Sequence, residues 1–536
     1  MAPLVTTPQG GVLTLIDVTR IQPFVFASNR LKDIVAGSTL VEKAAAAATL
    51  RTMAGPEGEL VFAAGGNALL RFPGIAAARS FASRYSRCLI ESFPGLGVEV
   101  VHREYLEGGL AEAFLQAGRA MNLRKLELTG AAPALGLSVT AECAETRAVA
   151  THLFEDRNGS VRPASATVAA RRQLGHDDTR WTSLLPFPSW EGFRLELPRD
   201  IDRLGRRPGE LSLVGIVHVD GNQVGRRVLR WVEGSREADD EAFRHGLERL
   251  SEELAEVGKK AMRKVLGRVC GSLAVEADPS SEHRTPRVRS ISLDKGFDLH
   301  STPGTLSLPI RPVLLGGDDL TFICDGRIAL DLARSALEVF QGTDIASLGG
   351  RIGASAGVAI VKSHAPFARA YQLAESLCRN AKKLLANGSP EPAYGLDWHI
   401  GFTMPTETIK SLRMREYRAG DWHLTRRPYE LGESTRPYTF AWLDEVVLGT
   451  RGDGAAGGFH NDFWRERRNK VKRLAQIVRE GRDGVESALK AWKVTADVDG
   501  LPGDLAGVSG FDGKRTPLLD AIELLDIHHP LREDPP

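Results

Sequence analysis

Leu314-Leu315-Gly316-Gly317-Asp318-Asp319-Leu320 is an apolar run broken by two glycines and two adjacent acids. Two carboxylates held side by side where a strand turns back repel each other, and each raises the other's pKa. A divalent cation removes that penalty, because Mg²⁺ prefers hard oxygen ligands. The glycines allow a tight turn and leave the backbone open to close approach by a ligand. A third acid ends a second apolar run, Leu213-Val214-Gly215-Ile216-Val217-His218-Val219-Asp220-Gly221-Asn222. A strand ending in Asp beside a hairpin tipped with Gly-Gly-Asp-Asp gathers three carboxylates at one end of a sheet.

The same plan occurs earlier in the chain, as a weak internal repeat. Val12-Leu13-Thr14-Leu15-Ile16-Asp17 is an apolar run ending in Asp, and Leu60-Val61-Phe62-Ala63-Ala64-Gly65-Gly66-Asn67-Ala68-Leu69 holds a second glycine turn. Laid over one another, Asp17 matches Asp220, and Gly65-Gly66-Asn67-Ala68 matches Gly316-Gly317-Asp318-Asp319. The first copy lacks both hairpin acids, so it is structural or binds nucleotide without turning it over. Each half reads as strand, helix, hairpin, helix, strand. The expected fold class is α+β, with two ferredoxin-like palm domains of the cyclase type.

Between strand and hairpin, residues 20–50 read as helical and contain the alanine-rich Glu42-Lys43-Ala44-Ala45-Ala46-Ala47-Ala48. In the second copy Phe243, Leu247, Leu250, Leu254, Val257, Ala261 and Val265 recur at helical steps. A loop is expected over 278–286, a helix over 329–340, a strand over 351–361 and a helix over 365–385. Residues 151–210 are rich in Arg, Pro and Asp with poor periodicity, as in a connector. A glycine-rich break is expected at 449–458, helical spacing over 459–494 (Val471, Leu474, Ile477, Val478), and a last short helix near 518–525. The expected domains are a first palm at 1–150, the connector at 151–210, a catalytic second palm at 211–400 and a mostly helical region at 401–536.

A chain of 536 residues is too long for one ordinary core. Its formal net charge of +1 argues against a grossly basic nucleic-acid glove, though not against a local groove. Cys88, Cys143, Cys270, Cys324 and Cys378 are scattered with no C-x-x-C pair, which fits a reducing compartment and offers no zinc ribbon. No apolar stretch is long enough to span a bilayer, and the N-terminus lacks the pattern of a secretory signal, so a cytoplasmic location without membrane contact is expected.

Asp220, Asp318 and Asp319 suit two-metal catalysis with Mg²⁺ or Mn²⁺, one cation activating a ribose hydroxyl and the other steadying a triphosphate. The plain alternative is a polar hairpin, since Gly and Asp favour turns. The stretch Gly221-Asn222-Gln223-Val224-Gly225 directly follows the first acid and can form an anion nest, or an ordinary strand-to-helix turn. Lys382 and Lys383 end a helix, where they can reach a phosphate or simply complement the helix dipole. A basic cluster, Arg465, Arg467, Arg468, Lys470, Lys472 and Arg473 beside Phe463 and Trp464, reads as a solvated helix face before it reads as an RNA or partner surface. His176-Asp177-Asp178 has the dipeptide of HD phosphohydrolases without a matching set of further ligands.

These residues, with Ile21-Gln22-Pro23-Phe24-Val25-Phe26-Ala27-Ser28-Asn29-Arg30-Leu31-Lys32-Asp33-Ile34-Val35-Ala36-Gly37-Ser38, resemble the large palm-polymerase subunit of type III CRISPR effector complexes, including its Cmr-type branch. The resemblance implies cyclic oligoadenylate synthesis from ATP with Mg²⁺ or Mn²⁺, the product serving as an antiviral second messenger. It implies Asp220, Asp318 and Asp319 as metal ligands and as the catalytic acids. It places Gly221, Asn222, Gly225, Gly316, Gly317 and Lys382 at the nucleotide, and Ser38 at a second nucleotide. Guide or target RNA and CRISPR subunits are the implied partners; the oligomeric state is left open. Family members commonly carry an HD nuclease domain and a cysteine zinc motif, and neither is visible, so HD-type DNA cleavage is not expected and a stand-alone relative is an option. The GGDEF diguanylate cyclases are more distantly similar, but Leu320 stands where they have Phe. A non-catalytic ribonucleoprotein scaffold and a cyclic dinucleotide synthase are the alternatives.

Overall fold

The computed structural model describes residues 10–127, 137, 139–155, 159–174, 178–204, 212–277, 284–293, 296–386, 392–401, 407–450, 458–494, 501–502, 505 and 509–533. The first palm is built from β1 (Gly11–Thr19), α1 (Leu31–Ala45), β2 (Glu59–Ala64), β3 (Asn67–Phe72), α2 (Ile75–Ser92), β4 (Gly97–Tyr105) and α3 (Leu110–Glu127). Its strands lie in the order β2-β3-β1-β4, the ferredoxin-like arrangement expected from the repeat. The expected helix over 20–50 is broken, because Arg30 and Ala46 take extended geometry and split it into three pieces.

The second palm repeats the plan with β5 (Leu213–Gly221), α4 (Val224–Gly234), α5 (Asp240–Gly271), β6 (Ile310–Gly316), β7 (Asp319–Asp325), α6 (Ala329–Gly342), β8 (Ala354–Lys362) and α7 (Phe367–Ala381). Its sheet runs β6-β7-β5-β8 and is extended by β9 (Tyr394–Gly401), parallel to β8, and by β10 (Tyr429–Glu430) from the region that follows. The loop expected over 278–286 is corrected in part: Arg284–Val288 pairs with Leu273–Ala277 as an antiparallel ladder. The connector also holds structure. Ser189–Trp190 and Phe193–Glu196 join strands inserted in the second palm, so this segment is sewn into its fold. The region after 401 is mostly helical, with Asp462–Glu466, Arg468–Ile477, Arg482–Ala491 and Leu518–Leu524. The expected break at 449–458 falls mainly on residues outside those described. No described helix is long and apolar enough to cross a membrane.

The palms share cores rather than merely touching. Strand alternation sends Val217, Val219, Leu320 and Phe322 to the face under α5 and α6, and Val214, Ile216 and Ile323 to the face under α7. The latter face merges with first-palm residues such as Phe24, Phe26 and Ile34, and Phe26 stacks on Tyr371 at 4.3 Å. In return, Val232, Phe243 and Leu247 of α4 and α5 cover Leu13, Leu15 and Leu69 on the far face of the first sheet. Ser38 of α1 is buried and donates to the carbonyl of Val313 on β6. The two glycine turns also meet, since a Cβ on Gly65 would lie 3.2 Å from the carbonyl oxygen of Gly316.

Helix α5 passes directly over the second turn. A Cβ on Gly258 would lie 2.0 Å from the carbonyl oxygen of Gly317, so only glycine lets the helix backbone approach that closely. Gly258→Ala is therefore expected to lower stability in urea unfolding by about 1–3 kcal/mol. Gly267→Ala, on the same helix where a Cβ meets open space, is expected to leave stability unchanged or raise it by up to about 1 kcal/mol. Equal losses for both variants would contradict the close approach.

Candidate active site

Register decides which side chains share the end of the second sheet. Leu320 pairs with Val219 and Thr321 with His218, so the next step along the ladder sets Asp319 beside Asp220 on the α7 face. Gly317 and Asp318 form the two-residue turn between the paired Gly316 and Asp319, and Gly317 takes φ +79°. Asp318 leans back over the end of β5, where a Cβ on Gly221 would lie 2.5 Å from Asp318 Oδ2. Gly221 is thus required by the carboxylate that packs against it.

The electrostatics of this cluster are unbalanced. Burial, together with the Asp220 carboxylate alongside, raises the pKa of Asp318 to about 7 and of Asp319 to about 8. Asp319 keeps about a third of its side chain accessible, yet its Oδ1 is sealed from solvent and accepts no hydrogen bond. His218 Nδ1 lies 3.3 Å away, but it pairs with Thr321 Oγ1 at 3.1 Å. Burial also lowers the His218 pKa to about 4, so it brings no positive charge at neutral pH. The compensating cation is Lys382, which donates to Asp220 Oδ2 at 2.5 Å and to the Gly221 carbonyl at 2.9 Å.

Hard carboxylate oxygens with one orphaned acceptor suit a divalent cation. In the conformation described, Asp220 is drawn to Lys382, and no three His, Cys, Asp or Glu side chains among the described residues are arranged to hold a metal ion.

The remaining expected residues fall in different places. Asn222 is buried, donates to the Ala393 carbonyl and accepts from Ser355 Oγ, so its side chain braces the loop after Asp220. Gly225 lies in the first turn of α4 with open space where a Cβ would be. Gly316 closes the hairpin ladder. Lys383 turns away to Asn380. Ser38 spends its hydroxyl on Val313 across the palm interface and lines a cavity of 690 Å³ that also reaches Asp319. A cavity of this size is in the range that holds a nucleotide-sized ligand.

The structure corrects the alignment of the repeat by one residue. Asn67 pairs with Asp17 and closes the first hairpin, so it occupies the place of Asp319, and Gly66 occupies that of Asp318. Both hairpins bulge at the equivalent point, Val61 and Val313. Lys125, at the end of α3, pairs with Asp17 as Lys382 pairs with Asp220. The first copy thus retains the Asp–Lys pair and lacks the hairpin acids.

In the basic cluster, Trp464 is fully buried, Arg467 stacks on Phe463 at 3.9 Å, and Lys472 pairs with Asp526 at 3.0 Å. Arg465, Lys472 and Arg473 are exposed, and Arg467, Arg468 and Lys470 are half-buried. His176 and Asp177 lie outside the described residues; Asp178 pairs with Arg311 and Arg199.

With this geometry in place, the family comparison is specific: residues 213–388 match the family described as Cas10/Cmr2, second palm domain. The second palm belongs to that family. Among solved structures, the Csm1-Csm4 cassette in complex with pppApApA aligns with 97% of this chain and 69% of its own at 14% identity, with a TM-score of 0.52. The cassette in complex with cA3 gives the same coverage and identity with a TM-score of 0.51. Csm1 in T. onnurineus aligns with 97% of this chain and 70% of its own, at 14% identity and a TM-score of 0.50. At such identity the likeness establishes the shared fold. No curated protein matches by sequence. The second palm is thus of the Cas10/Cmr2 type, within a fold that the whole chain shares with Csm1.

The raised acids of the Cas10-like site give a stability prediction. Their folded pKa values exceed the ordinary value of about 3.9, so the folded chain binds more protons than the unfolded one between them. Stability of metal-free protein should therefore fall as pH rises from about 4 to about 8. The Asp318→Asn/Asp319→Asn variant should flatten that fall in a series of thermal melts, and Mg²⁺ should offset it in the wild type only. An identical slope in both proteins would contradict the assignment.

Proposed function

We propose that this Cas10-like chain is a metal-dependent nucleotidyltransferase that makes cyclic oligonucleotides, with ATP as substrate and oligoadenylate as product. The observation that carries the reading is the set of three carboxylates, Asp220, Asp318 and Asp319, gathered at one sheet end with Asp319 Oδ1 buried and unpaired. Such a site is electrostatically incomplete as it stands.

In this reading Asp220, Asp318 and Asp319 hold the cations. Bound Mg²⁺ or Mn²⁺ would supply Lewis acidity toward an attacking hydroxyl and a departing pyrophosphate. The hydroxyl of one nucleotide gives its proton to solvent and forms a bond to the α-phosphorus of another, the bond to the β-phosphate bridging oxygen breaks, and pyrophosphate leaves with that electron pair. Lys382 turns from Asp220 to the phosphates as a mobile point charge. Gly221 and Gly317 keep the backbone low beneath the acids. The first palm, with Asn67 and Gly66 at the hairpin, supplies the other wall of the 690 Å³ cavity and holds the second nucleotide. Ser38 fixes that wall to β6 through Val313. The Csm1 structures in complex with pppApApA and with cA3 support an adenine nucleotide chemistry on this fold. CRISPR subunits and guide or target RNA are the corresponding partners.

Purified protein incubated with each nucleoside triphosphate and Mn²⁺ should yield a cyclic product by mass spectrometry, and Asp318→Ala/Asp319→Ala should abolish it with an unchanged fold by circular dichroism. Product formation by the double variant at the wild-type rate would overturn the proposal.

A further inference from the structure

The inter-palm cavity is lined by a cation that sequence patterns do not reveal. Arg180 sits in the single turn Thr179–Thr182, in the segment between the palms, and lines the cavity together with Asp319. Its Nη1 donates to Glu42 Oε2 on α1 at 2.7 Å, and its Nη2 donates to the carbonyl of Leu315 at 2.9 Å. Leu315 immediately precedes the Gly316–Asp319 hairpin. The guanidinium lies over the ring of Trp181 at 4.5 Å, and Trp181 is itself buried.

The turn carrying Arg180 is bolted to the same strand from the other side. Asp178 accepts from Arg311 of β6 at 2.6 Å and from Arg199 at 2.7 Å, and the Arg311 side chain has no exposure at all. Breaking a buried pair of this kind is strongly destabilising, so the turn does not swing freely. Arg180 therefore holds a fixed post from which one arm grips the catalytic strand and the other faces the first palm.

The two arms differ in strength of commitment. Arg180 and Glu42 remain 29% and 44% exposed, and an ion pair so open to solvent contributes little. A phosphate group offers a guanidinium fork a shorter, charge-assisted contact, roughly twice as strong as a neutral hydrogen bond. Exchange of Glu42 for phosphate is therefore favourable, and it leaves the Nη2 bond to Leu315 intact. Lys125, another cation of the cavity, is already engaged by Asp17.

We propose that Arg180 is a positioning residue that takes a phosphate of the nucleotide in the inter-palm cavity in exchange for Glu42, and so ties occupancy of that cavity to the placement of the Gly316–Asp319 hairpin. This rests on the reading of the cavity as a nucleotide site. The guanidinium differs from a lysine here because Nη1 and Nη2 address Glu42 and the Leu315 carbonyl from the two separate ends of a rigid fork, which a single ammonium nitrogen does not reproduce.

The test uses the full chain with AMPPNP and Mn²⁺ in calorimetry, alongside steady-state turnover of the nucleoside triphosphate. Arg180→Ala should weaken AMPPNP binding about 10–100-fold, the loss of one charged hydrogen bond, with an unchanged fold by circular dichroism. Arg180→Lys should recover most of KM but not kcat, since the ammonium restores charge without the second bond. Glu42→Gln, which frees the guanidinium, should tighten AMPPNP by up to about 5-fold. Unchanged KM, kcat and AMPPNP affinity in Arg180→Ala would overturn the proposal while leaving the nucleotidyltransferase reading intact. Glu42→Gln weakening AMPPNP as much as Arg180→Ala would also overturn it, by making the pair a mere structural tie. A wild-type chain that neither binds AMPPNP nor turns over any nucleotide would overturn both.

Discussion

Three carboxylates share the end of one sheet, and a single lysine stands against them. Everything nearby serves to hold that unfavourable arrangement. Gly221 lets Asp318 close over β5, and Gly258 lets α5 lie on the turn. Ser38 and Arg180 fasten the strand that leads into it. A hairpin of like charges in water would splay; this one is held by packing from α5 on one side and from the first palm on the other. Electrostatic strain of this kind persists only where surrounding structure over-determines it, and it concentrates at functional sites.

The two palms show what the strained arrangement requires. Both keep an Asp at the end of the first strand and a lysine at the end of the helix after the fourth, paired with each other. Only the second adds acids at the turn and at its closing position. The first hairpin instead has Gly66 and Asn67, which add no negative charge beside Asp17, and the cross-strand neighbour Glu99 is paired with Arg124 at 3.7 Å. Duplication thus yields one palm that is electrostatically satisfied and one that is not, joined through shared cores. The satisfied copy becomes a wall for the cavity, and the unsatisfied copy carries the chemistry proposed.

Much of this was legible in the sequence because the signals were local. Alternating apolar runs ending in Asp, glycine turns and the helical spacing of Phe243 to Val265 define both palms and the long helix. Asp220, Asp318 and Asp319 stand out because adjacent acids at a turn need a reason. What sequence missed depends on register or on long-range contact. The two glycine turns align by letter with Gly65 on Gly316, but the ladders set Gly65 on Gly317, because Gly316 is spent in closing the second hairpin. The connector looked featureless because its strands are two to four residues long, too short for a periodic signal, and one of them pairs with a distant insertion. Arg180 and Gly258 carry no periodic signal, and their importance rests on what lies across from them in space.

The claim that most depends on the acids is that they form a cation site once Lys382 lets go of Asp220. Crystals grown with Mn²⁺ and AMPPNP, measured at the manganese absorption edge, test it directly. The account predicts anomalous peaks within coordination distance of Asp220 and Asp319, with the Lys382 ammonium moved from Asp220 onto a phosphate oxygen. AMPPNP bound with no manganese at these acids, and Lys382 still on Asp220, would contradict it.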